Sequence, residues 1–170
     1  LEALIHAGVD NFVKVNIKWV DTEKLEKEEN INKVFENIDG IIIPGGFGNR
    51  GIEGKILSAK YARNNSVPFL GICLGLQCAV IDYARHKCNI KDANSTEFKS
   101  TTKNPVIDIM AKQKKVIKKG ATMRLGRFPC RVIKGTNAMR AYKKINIFER
   151  HRHRYEVNNK YLSKLTAAGL

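Results

Sequence analysis

The stretch that decides the fold is Pro68–Gln77, which reads PFLGICLGLQ. Its first half is a short apolar run typical of a buried strand. Its second half opens a helical pattern whose apolar positions recur every three or four residues. Glycines stand two positions before and two positions after Cys73. This spacing predicts a sharp strand-to-helix turn with the cysteine at its tip, the thiol counterpart of the nucleophile elbow of hydrolases.

A second apolar run, Ile41–Ile43, lies upstream and ends at the glycine-rich segment Pro44–Gly51. Ile52, Ile56 and Ala59 then recur at helical spacing. Two buried strands, each followed by a helix, are typical of βαβ units on a parallel sheet. The sequence therefore predicts an α/β fold with a mostly parallel central sheet flanked by helices.

The rest of the sequence predicts further helices and strands, and no segment of it is typical of a linker between two domains. Alternation over Val13–Trp19 predicts a strand with one solvated face. The other predicted elements are a helix ending near Gly8, a helix over Asp21–Glu29 capped by Asp21 or Thr22, strands over Pro105–Met110 and Arg131–Ile133, and a helix over Tyr161–Ala168. We interpret residues 1–170 as one domain.

Cys73 is the candidate nucleophile. A helix that begins just after it directs free N–H groups and the positive end of its dipole at the sulfur, which favours the thiolate. The Leu74 N–H is placed to stabilise an oxyanion, and the loop after Ile43 could supply a second backbone donor. Cys78, Cys88 and Cys130 have no such setting and are interpreted as buried apolar residues or bystanders.

A cysteine nucleophile needs a histidine base. His6 and His86 lie in predicted helices and are interpreted as structural or solvated. His151 and His153 are interleaved with three arginines. Those cations disfavour a protonated histidine and suit a substrate carboxylate better, yet on the residues alone these two histidines remain the candidate bases.

Charge is distributed unevenly along the chain. The net charge is +15 overall, made up of −1 over residues 1–97 and +16 over residues 98–170. A basic half suggests nucleic-acid binding, but no zinc-finger, ribonucleoprotein or heptad pattern accompanies it. The run Lys112–Lys119 is interpreted as a solvated surface or, alternatively, as a face that docks an acidic or nucleotide-bearing partner. The longest apolar stretch, Val67–Ile81, is too short to span a membrane.

Five motifs taken together resemble the class I (triad) glutamine amidotransferase domain of CTP synthases. They are Pro44–Gly48, Gly71–Gln77, Asn94–Phe98, Thr122–Gly126 and Arg150–Asn158. The cysteine motif alone indicates the class I amidotransferases, and the set in this order indicates the CTP synthases.

The resemblance implies that Cys73 attacks the side-chain amide of L-glutamine and forms a thioester. The released ammonia then serves a separate synthetase domain, where ATP and Mg are expected and UTP is converted to CTP. Gly46 and Leu74 are implied as the oxyanion donors, Glu97 as the partner of the substrate ammonium and Arg154 as that of its carboxylate. The other implied substrate-binding residues are Phe47, Gly75, Leu76 and Gln77. No cofactor or metal is expected in this domain, and a cytoplasmic homo-oligomer is expected for the whole protein, with no nucleic-acid or membrane partner.

The sequence departs from that family in two respects. The family's triad histidine and glutamate come from a His-Pro-Glu stretch that is expected beyond Leu170, and its first strand is expected before Leu1. The resemblance therefore implies a partial domain, truncated at both ends, with impaired glutamine hydrolysis. It also implies that neither His151 nor His153 is the base. A catalytically silent docking domain with a basic partner-binding face is the alternative function.

Overall fold

The computed structural model describes residues 1–28, 30–109 and 123–170. The basic run Lys112–Lys119, Thr122 and Met110 lie outside these residues, as does Glu29. The helices are α1 (Glu2–Asp10), α2 (Thr22–Leu25), α3 (Ile31–Val34), α4 (Ile52–Asn64), α5 (Leu74–His86), α6 (Asn137–Tyr142) and α7 (Leu162–Ala167). The strands are β1 (Ile41–Ile43), β2 (Phe69–Gly71), β3 (Ala93–Ser95), β4 (Asn104–Ile109), β5 (Arg124–Arg131), β6 (Asn146–His153) and β7 (Tyr155–Val157).

The α/β class predicted from the sequence is confirmed. β1 pairs in parallel with β2, with Ile42 opposite Leu70. β3 pairs in parallel with β4, and β4 pairs with β7 in the antiparallel sense. β5 and β6 form a separate antiparallel ribbon in which Arg124 lies opposite His153. Parallel pairing thus joins the two strands that precede the cysteine turn, and antiparallel pairing dominates the later part of the chain.

The core is built on α5. Its buried residues Cys78, Ile81 and Ala84 are fully shielded from solvent and pack with Ile107 of β4 and Leu165 of α7. A second cluster joins β1 to α2 and α4. The helical stripe predicted after Cys73 is therefore the face that the core buries, and it fixes α5 between two layers of strands.

Several predicted elements differ from those observed. Val13–Trp19 is extended but forms no strand, because no backbone ladder reaches it in the described part of the chain, and Trp19 is 79 % exposed. An isolated strand leaves its backbone groups to water and gains no stability. The strand predicted at Arg131–Ile133 instead ends at Arg131.

β1 and β2, which the sequence predicts as buried strands, are only partly covered. Ile41 and Ile43 enter the core, whereas Ile42 is 43 % and Leu70 is 54 % exposed. Successive side chains of a strand point to opposite faces, and α4 and α5 cover only one of them in the described residues. The helix at Asp21 is capped as predicted, by the Asp21 carboxylate accepting the Glu23 N–H, but it ends at Leu25.

Candidate active site

Cys73 stands between β2 and α5 in the sharp turn that its flanking glycines predict. It is the residue before the first turn of α5, with φ +53° and ψ −104°. A positive φ is a strained conformation for a residue with a side chain, and such strain persists only where neighbouring structure holds it. The Ile72 N–H donates to the Ile43 carbonyl at 2.9 Å and so ties the turn to β1. The thiol is half-buried.

The two glycines of the motif are required by close backbone contacts. A Cβ on Gly71 would lie 2.5 Å from the carbonyl carbon of Gly75. A Cβ on Gly75 would lie 2.1 Å from the Ile43 carbonyl oxygen. Both distances are far below van der Waals contact, and both contacts are with backbone that cannot move independently. The prediction that side chains at these positions would collide with neighbouring backbone is confirmed.

The glycine-rich loop after β1 lies directly against this turn. A Cβ on Gly45 would be 3.5 Å from the Cys73 Cβ, and one on Gly46 would be 3.1 Å from Leu74 Cδ2. Because β1 and β2 are parallel neighbours, their carboxyl ends meet at one edge of the sheet. The glycine-rich loop and the first turn of α5 therefore lie side by side at Cys73.

Glu97 reaches the same loop from another element. It follows β3, and its Oε1 accepts the Gly48 N–H at 3.0 Å. Its own N–H donates to the Ser95 hydroxyl at 3.1 Å, and Ser95 is fully buried. The backbone of Glu97 is thus tied to the end of β3, and its carboxylate is tied to the glycine-rich loop.

The third side of the site is the bend between β6 and β7. The Cys73 thiol donates to the Arg152 carbonyl, with 3.9 Å between sulfur and oxygen. Gln77, in the first turn of α5, donates through Nε2 to the Tyr155 carbonyl at 3.2 Å. Arg154 lies between these two contact points. The bend is therefore fastened to the cysteine turn on both sides of Arg154.

Glu97 and Arg154 share an electrostatic neighbourhood. Burial raises the pKa of the Tyr155 hydroxyl, and the Glu97 carboxylate raises it further, whereas the Arg154 guanidinium lowers it. One anionic and one cationic side chain thus act on the same tyrosine close to the cysteine turn. A zwitterionic α-amino acid needs such a pair, one partner for its ammonium and one for its carboxylate.

The other residues predicted to bind substrate are placed as follows. Gln77 is 7 % exposed, and its Oε1 has no hydrogen-bond partner among the described residues. Its Nε2 must face the Tyr155 carbonyl, so the oxygen is an unused buried acceptor beside the site. Phe47 is 92 % and Leu76 is 50 % exposed, and both therefore present apolar surface to solvent.

The remaining cysteines do not share the setting of Cys73. Cys78 is fully buried, and burial raises the pKa of its thiol to about 12. Cys88 is buried as well, and Cys130 is exposed on β5. At neutral pH the Cys78 thiol is unreactive, because the thiolate is the nucleophilic form.

The histidines fall into two groups. His86, in the last turn of α5, contacts the buried Asp82 carboxylate at 2.8 Å, as expected of a structural residue. His151 and His153 contact each other, with 2.9 Å between Nδ1 of the first and Nε2 of the second. That pairing was not predicted, although the alternation of residues along Arg150–His153 is itself the signal of a strand that places both rings on one face.

The chain matches known proteins over nearly its whole length. Residues 1–168 match the model of the family described as glutamine amidotransferase class-I. The chain is 54 % identical over 170 residues to a CTP synthase of Caldanaerobacter subterraneus subsp. tengcongensis and 53 % identical over 174 residues to one of Methanocaldococcus jannaschii. These alignments cover 100 % and 99 % of this chain but 32 % of each relative, so the chain spans about a third of their length.

A solved structure shows the same likeness. The Trypanosoma brucei CTPS glutaminase domain with bound acivicin superposes with a TM-score of 0.88 at 39 % sequence identity, covering 99 % of this chain and 64 % of that one. The fold predicted from the resemblance is thereby confirmed. None of the helices in the described ranges has the length and apolar character needed to cross a bilayer.

Proposed function

The chain belongs to the class I glutamine amidotransferase family, and we propose that it hydrolyses the side-chain amide of L-glutamine. Residues 1–170 form the glutaminase domain in this proposal, with Cys73 as the nucleophile. The observation that carries it is the position of Cys73 at a strained turn between the glycine-rich loop and the bend that bears Arg154.

The α-carboxylate and the α-ammonium of the substrate are recognised by side chains of opposite charge. The Arg154 guanidinium pairs with the α-carboxylate and the Glu97 carboxylate with the α-ammonium, because each charged hydrogen bond needs a partner of opposite sign. The unused Gln77 Oε1 is a further acceptor for the ammonium. Phe47 and Leu76 cover the methylene groups. Held at its charged end, the substrate extends its amide towards the cysteine turn.

Chemistry then takes place at the amide carbon. The Cys73 thiolate attacks it, and the negative charge that develops on oxygen is stabilised by the Gly46 and Leu74 N–H groups. The carbon–nitrogen bond breaks, the nitrogen takes a proton, and ammonia leaves a thioester on Cys73. Water attacks the thioester, releases L-glutamate and restores the thiol.

The base in this proposal is neither His151 nor His153. Both ring nitrogens of His153 already have partners, since Nε2 contacts His151 and Nδ1 contacts the Tyr155 carbonyl. The hydrogen-bond partner of the Cys73 thiol among the described residues is a carbonyl, which takes no proton. A histidine outside residues 1–170, oriented by a glutamate, supplies the base as the resemblance implies.

The use of the ammonia is also part of the proposal. The relatives are named CTP synthases and are about three times as long as this chain. We assign the ammonia to a synthetase domain of the same polypeptide, where ATP-dependent amination of UTP gives CTP. The ammonia must reach that domain without protonation in bulk water, so the proposed partner packs against the side of the domain where it is released.

Substitution of Glu97 tests this function. Glu97→Gln keeps an acceptor for the Gly48 N–H but removes the negative charge, so we expect KM for glutamine to rise about 10- to 100-fold with kcat nearly unchanged. Glu97→Ala also frees the glycine-rich loop and is expected to lower kcat in addition. Glutamate release is measured in a polypeptide that extends past residue 170.

Glu53 provides the matched control. This glutamate of α4 forms an ion pair with Arg85 of α5 at 2.7 Å and is not among the proposed substrate contacts. Glu53→Gln should leave KM and kcat unaltered. An unchanged KM in Glu97→Gln would contradict the role of Glu97 in binding the ammonium.

A further inference from the structure

The His151–His153 pair is the polar cluster nearest to the cysteine turn that the proposed reaction does not use. Residues two apart on a strand point to the same face, so both rings lie on one face of the β5–β6 ribbon, and both residues are half-buried. His151 Nδ1 lies 2.9 Å from His153 Nε2, and His153 Nδ1 lies 3.1 Å from the Tyr155 carbonyl oxygen. Three polar groups therefore form one chain of hydrogen bonds.

The direction of that chain is set by the carbonyl. A carbonyl oxygen only accepts, so His153 Nδ1 must carry the proton. In the neutral ring Nε2 is then bare and accepts, and His151 Nδ1 must be the donor. The Tyr155 carbonyl thus fixes the tautomer of the neutral His153 ring, and His153 in turn fixes that of His151.

The surroundings of His151 disfavour the protonated form of its ring. Burial, Arg124 and His153 lower the pKa of His151, and the two facing carboxylates, Glu149 and Glu156, oppose them only in part. Phe128 of β5 packs edge-on against the His151 ring with 5.4 Å between centroids, and the Arg124 guanidinium lies 4.8 Å from the Phe128 centroid.

The Tyr155 carbonyl links this chain to the site. It accepts from His153 Nδ1 and also from Gln77 Nε2 at 3.2 Å. The Gln77 N–H in turn donates to the Cys73 carbonyl at 3.1 Å. The peptide between Tyr155 and Glu156, one residue after Arg154, is therefore held from one side by His153 and from the other by Gln77 of α5.

We propose that His153 is a positioning residue for substrate recognition: through the Tyr155 carbonyl it fixes the backbone that aims the Arg154 guanidinium at the α-carboxylate of an amino acid substrate. This rests on the proposed roles of Arg154 and Cys73. Loss of the hydrogen bond removes the contact from the His153 side and leaves the Tyr155 carbonyl with the Gln77 amide. Arg154 then samples other directions, and binding weakens while the Cys73 turn keeps its shape.

Covalent modification by acivicin measures the two effects separately. Acivicin is an electrophilic α-amino acid, so its half-saturation constant reports recognition of the charged end, and its maximal rate reports the reactivity of the thiol. His153→Phe keeps a ring but has no donor, whereas His153→Asn places an amide N–H near the position of Nδ1. We expect a half-saturation constant about tenfold higher in His153→Phe and within about threefold of wild type in His153→Asn, with maximal rates alike.

Control variants and melting temperatures make the result decisive. Asn146→Ala alters an exposed residue of the same strand and should behave as wild type. If His153→Phe does not fold, His153→Leu takes its place. A lowered melting temperature with an unchanged half-saturation constant would show that His153 only stabilises the fold, and equal losses in the Phe and Asn variants would exclude the hydrogen bond as the cause.

The same experiment distinguishes a failure of the proposed glutamine hydrolysis from a failure of the proposed role of His153. If acivicin does not modify Cys73 in the wild-type chain, the proposed function fails and the role of His153 falls with it. If wild type is modified and His153→Phe matches it in both constants, only the role of His153 is overturned. A fall in maximal rate alone would place the effect at Cys73 and would likewise contradict positioning of Arg154.

Discussion

Replacing Cys73 by serine is expected to lower glutamine-dependent ammonia release by at least about 10³-fold, because a serine hydroxyl at this turn lacks the thiolate character on which the attack depends. The side chain stays nearly the same size, so the positive-φ turn and the buried start of α5 are preserved. Ammonia is measured in polypeptides that extend past residue 170 and include the proposed base.

The control for this variant is Cys130→Ser. Cys130 is exposed on β5 and is remote in sequence from every proposed substrate contact. We expect its activity to lie within about twofold of wild type. A Cys73→Ser protein that keeps more than a tenth of the activity would show that another group is the nucleophile.

Gly75→Ala is expected to destabilise the fold by about 3 kcal/mol or more, since overpacking against rigid backbone is among the most costly single substitutions. The added Cβ would lie 2.1 Å from the Ile43 carbonyl oxygen and 2.9 Å from the Ile43 Cβ. To relieve that contact, α5 must move away from β1, and the turn that presents Cys73 moves with it. Urea denaturation followed by circular dichroism gives the free energy of unfolding.

Gly40→Ala is the matched substitution. Gly40 directly precedes β1. A Cβ added there would lie 3.4 Å from the Pro68 carbonyl oxygen, which is an ordinary contact. We expect a change of less than about 1 kcal/mol there. Equal stability losses in the two variants would show that the close approach of α5 to β1 is not what requires glycine at position 75.

The part of the site that is local in sequence was predictable. Gly71, Cys73 and Gly75 sit in one turn, and the collision at Gly71 is with Gly75 of the same turn. The collision at Gly75 is with Ile43 and depends in addition on the pairing of β1 with β2. The helical stripe after Cys73 is buried for the same reason, because a 3.6-residue period places those side chains on one face.

Longer-range features were not predictable from local patterns. Val13–Trp19 alternates like a strand, but alternation does not reveal whether a hydrogen-bonding partner exists, and none reaches it in the described residues. Glu97 and Arg154 were singled out by resemblance alone. Their closeness depends on β3 and β7 both pairing with β4, which no spacing in the sequence states.

The contacts of His151 and His153 were likewise not predictable from local sequence patterns. The arginines around them predicted a depressed pKa, and the pKa of His151 is indeed lowered, but burial is the largest cause. The residues alone left His151 and His153 as candidate bases. Only the pairing of β6 with β5, and the bend that follows it, directs the two rings at each other and at the Tyr155 carbonyl.

The most direct test of the central claim is to treat a polypeptide that extends past residue 170 with acivicin and to map the modified peptide by mass spectrometry. We predict a single adduct on Cys73, formed more slowly when L-glutamine is present, with the buried Cys78 and Cys88 and the exposed Cys130 unmodified. An adduct on Cys130 in place of Cys73, or a rate at Cys73 that L-glutamine leaves unchanged, would contradict the assignment of this turn as a glutamine-directed nucleophile.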